Sequence, residues 1–125
     1  MDHETLRKAI EAGDLEATIA CMAPGIVFHS PVTFKPFEGR DAVAALFGIL
    51  FKTFEDFRYV GEFVAADGSG VLHFRTKVGD RDVEGIDLVH FDAEGLIDDF
   101  TVFVRPYSAV VALRDSIGAQ LGAGG

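Results

Sequence analysis

The stretch "GVLHFRTKVGDRDVEGIDLVHFDAEGLIDDFTVFVR" (residues 70–105) contains three runs of strand length and alternating character, GVLHFRTKV, DVEGIDLVHF and LIDDFTVFVR. The turn-forming tetrads GDRD and DAEG separate them, and connections this short predict an antiparallel meander. If Asp80-Arg81 and Ala93-Glu94 form two-residue hairpin loops, the first sets Phe74 against Asp87 and Leu72 against Val89, and the second sets Phe100 against Asp87 and Asp98 against Val89. The two registers agree on the faces. One face collects Leu72, Phe74, Val78, Val83, Val89, Phe91, Phe100, Val102 and Val104, together with Thr76, Gly85 and Asp87. The other receives His73, Arg75, Lys77, Glu84, Ile86, Leu88, His90, Asp99, Thr101, Phe103 and Arg105.

Asp87 is the residue that does not fit its face. An ionised carboxylate between phenylalanines is costly, so its pKa is expected to be raised by desolvation unless a cation or several hydrogen-bond donors approach it, and no cation shares that face. Carboxyls of this kind cluster at functional sites; a structural carboxyl bonded to backbone is the competing reading.

Working outward, "HETLRKAIEAGDLEATIACMAPG" places Leu6, Ile10, Leu15, Ile19 and Met22 at helical intervals, with a break at Ala12-Gly13-Asp14 and a stop at Pro24-Gly25. This predicts two short helices. "IVFHS" reads as a brief strand and "PVTFKPFEGR" as a loop. From about Asp41, Val43, Leu46, Phe47, Leu50, Phe51 and Phe54 form the apolar stripe of a helix seated on a sheet. "DFRYVGEFVAA" adds a further strand, in which Tyr59 shares the parity of Phe57 and Phe63. After Pro106 a helix is expected over about 107–121, with Val110, Leu113, Ile117 and Leu121 on one side, and "GAGG" as a frayed tail. The order, helices followed by strands, is that of an α+β fold, and the 125 residues suit a single domain.

The composition narrows the classes of function. A formal charge of −9 repels phosphate backbones and anionic membrane surfaces, so neither nucleic acid nor membrane is expected as a partner. Cys21 is the sole cysteine, which excludes an internal disulfide and any zinc-type cysteine cluster. No metal, nucleotide or other cofactor is expected, since the histidines do not group and the glycine turns lack phosphate-binding spacing. Without a leader-like or membrane-spanning apolar run, the expected location is the cytoplasm. Twelve Phe and no Trp predict an aromatic interior able to line a pocket as well as fill a core.

"AGDLEATIACMAPGIVFHSPV", "FEGRDAV" and "GIDLVHFDAEGLI", in this order, resemble the superfamily of nuclear transport factor 2, the ketosteroid isomerases and the SnoaL-like polyketide cyclases. The resemblance runs to about residue 106. It implies a cone-shaped, mainly antiparallel curved sheet wrapped around the N-terminal helices, the cystatin-like or ketosteroid isomerase-like roll, with an apolar pocket inside. It places Asp87 on the ketosteroid isomerase position of a protonated aspartic acid in the oxyanion hole, a system often cited for a carboxyl kept neutral by its site. The general-base position, before a proline, is occupied by Ser30 in "HSPV", and the oxyanion tyrosine position by Leu6. The His and Asp of SnoaL-like cyclases fall on Phe100 and Val102.

The candidate catalytic residues are therefore Asp87, Ser30 and His29. Ser30 is a poor base on its own but a competent hydrogen-bonding group. His29 has the right intrinsic pKa; alternation turns it away if Phe28 and Ser30 face inward, and an irregular strand before Pro31 would reverse that. Candidate ligand-contacting residues are Phe28, Phe57, Tyr59, Phe74, Val89, Asp98, Phe100 and Val102, with Asp98 roughly 7 to 8 Å from Asp87 along the sheet diagonal. The expected ligand is a small hydrophobic molecule. It would be bound by an isomerase, dehydratase or cyclase that uses Asp87 as acid or oxyanion donor, or by a non-catalytic binding protein. A homodimer through the outer sheet face is expected from Ile86, Leu88 and Phe103.

Overall fold

The computed structural model describes residues 3–122, without the side chains of Leu121 and Gly122; of the expected tail, residues 122–125, Gly122 ends the last helix and residues 123–125 lie outside the described residues. In chain order the elements are α1 (His3–Glu11), α2 (Leu15–Ala20), β1 (Met22–His29), β2 (Phe37–Glu38), α3 (Arg40–Thr53), β3 (Glu55–Val64), β4 (Gly70–Val78), β5 (Arg81–Phe91), β6 (Ile97–Arg105) and α4 (Tyr107–Gly122). The fold is α+β: one curved, open, mostly antiparallel sheet in the order β2-β1-β6-β5-β4-β3, with helices packed on its inner face.

The helix break falls where expected. Gly13 takes a φ of 68°, and Asp14 caps α2 by accepting a hydrogen bond from the Ala17 N–H at 3.0 Å. Pro24-Gly25, by contrast, does not end the N-terminal elements before a strand. It lies inside β1 as an irregularity between Met22 and Val27, and beyond it Phe28 pairs in parallel with Phe100 of β6. The loop after β1 also contains a short antiparallel pairing of β2 with Val27 and Phe28 that alternation over two residues could not signal.

The meander has the expected faces and a register shifted by two residues. Leu72, not Phe74, lies opposite Asp87, and across β6 the partner is Val102, not Phe100. The first turn forms at Gly79-Asp80, because Gly79 supplies the positive φ of 62° that a two-residue hairpin loop needs at its first position. In the second, the Asp92 carboxylate accepts from the Glu94 and Leu96 N–H groups, each at 2.9 Å, which lengthens the loop beyond Ala93-Glu94. An even shift leaves each side chain on its predicted face. The exception is the end of β6, where a bulge lies between the pairs His90–Asp99 and Phe91–Ile97. It buries Ile97 and turns Asp98 outward.

Leu72, Phe74, Val83, Val89 and Phe100 of the inner face pack against Val43, Leu46, Phe47 and Leu50 of α3 and Leu113 and Ile117 of α4 in one apolar core. Thr76, polar but buried, satisfies its hydroxyl by donating to the Glu55 carbonyl at 2.7 Å. Gly85 allows β5 to pass under Phe74. A Cβ there would meet the Phe103 carbonyl oxygen and lie 2.5 Å from the Phe74 ring. Gly85→Ala is therefore expected to lower stability by about 1–3 kcal/mol through overpacking, read as a fall in the urea midpoint at unchanged slope.

Candidate functional site

Between the sheet's inner face and the helices lies a cavity of about 250 Å³. Its floor is aromatic because three elements direct phenylalanines to the same point. Phe28 of β1 and Phe100 of β6 are paired neighbours with ring centroids 5.3 Å apart, and Phe47 of α3 meets Phe100 edge-on at 5.5 Å. On the far side Phe57 of β3 stacks on Phe74 of β4 at 5.0 Å, and Tyr59 stands edge-on to Phe57 at the same distance. The irregularity of β3 between Tyr59 and Gly61 keeps Phe57 and Tyr59 inside but exposes Phe63, which parity alone had grouped with them.

Asp87 lines this cavity and is only 5% exposed. Its one side-chain partner among the described residues is Tyr59, whose hydroxyl donates to Oδ2 at 2.6 Å. Burial pushes the Asp87 carboxyl from its ordinary 3.8 up to about 7, with the Tyr59 hydrogen bond a smaller opposing influence. The Tyr59 phenol is raised well above its ordinary value, first by burial and then by the neighbouring Asp87 carboxylate. The pair is thus a carboxyl that changes charge near neutrality and a phenol that stays protonated there.

Of the residues singled out from sequence, Asp87, Ser30, Phe28, Phe57, Tyr59, Phe74, Phe100 and Val102 lie on the cavity wall. Ser30 continues β1 next to β6, and its Oγ accepts from the Val32 N–H at 3.2 Å, leaving the hydroxyl proton available to a ligand. Three candidates lie elsewhere. His29 points to the outer face, where its Nε2 lies 3.1 Å from Asp99 Oδ2, because β1 pairs regularly with β6 from Val27 to that residue. Asp98 is carried outward by the β6 bulge and lies 2.6 Å from His90 Nδ1. Val89 is fully buried in the core away from the cavity. Leu6, on the position of the isomerase tyrosine, is likewise fully buried.

Sequence reasoning missed two features. The α3 stripe and the α4 residues Leu113 and Ile117, read as core, also roof the cavity. Glu11, at the end of α1, reaches the wall too: its Oε2 accepts from the Tyr59 N–H at 3.1 Å. The helix break after Glu11 was the available signal, since a helix end aimed at a sheet presents its last turn to whatever the sheet encloses. Among the described residues, no three His, Cys, Asp or Glu side chains gather to hold a metal ion, and no helix is long and apolar enough to cross a membrane.

This fold, with a cavity walled by sheet and helices, defines the nuclear transport factor 2-like class. The chain belongs to the SnoaL-like domain family, whose pattern matches residues 3–100. Its structure is similar to that of a protein with a cystatin-like fold from Silicibacter pomeroyi DSS-3, at 36% identity and a TM-score of 0.88 over 94% of this chain and 82% of that one. A steroid delta-isomerase from Pseudomonas aeruginosa is similar at 38% identity and a TM-score of 0.88, over 93% of this chain and 85% of that one. An NTF2-like protein from Burkholderia xenovorans LB400 shares the fold, with a TM-score of 0.72 at 15% identity over 83% of this chain and 80% of that one. No curated protein matches the chain.

A carboxyl whose folded pKa lies above its unfolded one holds a proton that unfolding releases, so its contribution to stability is full below about pH 4 and is lost as pH rises through about 7. On the order of 4 kcal/mol should separate the two limits for this group. The difference in unfolding free energy between wild type and Asp87→Asn, measured by denaturation from pH 4 to 8.5, should therefore move against the wild type as pH rises. A flat difference would contradict burial of an ionisable carboxyl. In Tyr59→Phe, the Asp87 carboxyl-carbon NMR titration should shift upward, because the lost hydrogen bond favoured the charged form.

Proposed function

We propose that the protein binds a small hydrophobic carbonyl compound in the cavity and moves a proton on the carbon next to the carbonyl, as a cofactor-independent isomerase, dehydratase or cyclase does. The observation that carries this reading is the Asp87–Tyr59 pair on the wall of an otherwise apolar, aromatic cavity. A carboxyl with a pKa near 7 is half protonated at neutrality, and in that form it donates a hydrogen bond to an oxygen that gains negative charge. The similarity to a steroid delta-isomerase supports the same chemistry. The proton acceptor in this chain would differ, because Ser30 occupies the general-base position implied by the isomerase resemblance. Glu11 is the other carboxylate on the wall and the group suited to that role. It would take the proton from carbon, the electron pair would pass through the new C=C bond to the carbonyl oxygen, and Asp87 would stabilise the resulting enolate. Return of the proton to another carbon gives an isomer.

A bicyclic enolisable ketone, 2-tetralone, tests this. Its affinity should fall up to about thirty-fold between pH 6 and pH 8.5 as Asp87 loses its proton, and should be flat with pH in Asp87→Asn. Exchange of its α-hydrogens with deuterated solvent, followed by NMR, should slow at least about ten-fold in Glu11→Gln and in Asp87→Asn. Binding without accelerated exchange would identify a non-catalytic binding protein, and no binding would reject the reading.

We further propose that the outer sheet face pairs with a second copy of the chain. Val71, Ile86, Leu88 and Phe103 form an apolar middle, with Leu88 38% and Phe103 51% exposed. On one side lie Arg58, Arg75, Lys77 and Arg105 around Glu84 and Asp82; on the other lie Asp67, Asp98 and Asp99 beside His90. A two-fold axis through the apolar middle would lay each basic end on the partner's acidic end. Sedimentation should find a dimer for wild type and a monomer for Phe103→Glu; a wild-type monomer at micromolar concentration would reject the pairing.

A further inference from the structure

We infer that the cavity also takes an apolar amine of one or two rings, held with its ammonium group against the Asp87 carboxylate and faced by the surrounding aromatic rings. This rests on the cavity being a ligand site and concerns the charge of what enters it.

Eight aromatic side chains line the cavity, and among them Phe57, Tyr59 and Phe74 pack ring against ring, with the Tyr59 hydroxyl bonded to Asp87. Aromatic faces carry negative potential, and a ring-lined recess is the arrangement that recognises organic ammonium groups. The ionisable groups on the wall are Glu11, Tyr59 and Asp87; no lysine, arginine or histidine is among the lining residues. A carboxylate or phosphate ligand would therefore meet like charge with no counter-ion. An ammonium would supply the charge that the buried Asp87 carboxylate lacks, since its one side-chain partner among the described residues is the Tyr59 hydroxyl. Glu11 on the wall and the overall charge of −9 favour approach of a cation, although Arg7, 3.9 Å from Glu11 Oε1, tempers the first of these. Size sets the rest. A void of roughly 150 Å³ in another protein accepts benzene, so one of about 250 Å³ has room for one ring or two fused rings.

Two ligand charges then compete for one site according to the proton on Asp87. Tyr59 from β3 faces that carboxyl and Glu11 from α1 shares its cavity wall, while β4, β6, α3 and α4 present uncharged residues to the cavity. An arylmethylamine is less basic than the lysine side chain but is still mostly protonated at pH 8.5. Ammonium affinity should therefore rise with pH where ketone affinity falls.

Isothermal titration with 1-naphthylmethylamine and its neutral counterpart 1-naphthylmethanol, at pH 6 and pH 8.5, tests this. For wild type the amine should bind about ten-fold more tightly at pH 8.5 than at pH 6, and at pH 8.5 at least about ten-fold more tightly than it binds Asp87→Asn. The alcohol should show neither difference. An amine affinity independent of pH, or equal in the two proteins, overturns the inference. If 2-tetralone binds and the amine does not, the amine inference alone fails; if neither binds, the cavity is not a ligand site. Should Asp87→Asn fold poorly, the pH comparison on wild type decides, supported by movement of the Asp87 carboxyl-carbon resonance on adding the amine.

Discussion

Period-two alternation along β4, β5 and β6 is the constraint on which the rest of this structure depends. These three strands are joined by short turns, so each inner-face residue must lie beside inner-face residues of its neighbours. The apolar set they present can be covered only from one side, which brings α3 and α4 onto that face and closes the cavity. Asp87 cannot escape this geometry. A one-residue slip of β5 that freed it would also expose Val83 and Val89 of the same strand, at about 1.5–3 kcal/mol for each side chain.

The burial that fixes Asp87 also sets its chemistry. Desolvation raises its carboxyl toward neutrality, and the only side chain among the described residues that answers it is a phenol, which donates a hydrogen bond without bringing positive charge. A lysine or arginine in place of Tyr59 would have held Asp87 ionised and removed its capacity to exchange a proton near pH 7. The outer-face Glu84 shows the contrast. It is held below its ordinary value chiefly by hydrogen bonds from Arg105 at 2.8 Å and from His73, with Arg75 also near, so its charge is answered by groups of its own chain.

The faces of the meander, the α3 stripe and the inward Asp87 were legible in the sequence because each follows from a period that one residue alone cannot change. The exact pairing was not, because loop geometry at Gly79 and Asp92 sets it, and the alternatives differed by two residues with no change of face. Asp98 was misplaced for a sharper reason. In Leu96-Ile97-Asp98-Asp99-Phe100, alternation counted back from Phe100 turns Asp98 inward, whereas the bulge makes Ile97 the buried residue. The Asp87–Tyr59 bond and the approach of Glu11 join residues 28 and 48 positions apart, a kind of proximity that no local pattern encodes.

What Asp87 costs bears on what it is for. Leucine at this position would suit the inner face, pack against Leu72 and Val102, and avoid a charge penalty on the order of 4 kcal/mol at high pH. The fold does not need the carboxyl: the hydrogen bond it gains from Tyr59 offsets about 1 kcal/mol of that, and the same phenol could point to solvent-accessible space in the cavity. A purely structural acid would be expected to gather backbone donors, as Asp92 does with two N–H groups in its turn. Asp87 instead has one phenolic donor and an open cavity before it. That arrangement leaves its remaining hydrogen-bonding capacity turned toward the cavity, as the proposed ligand site requires.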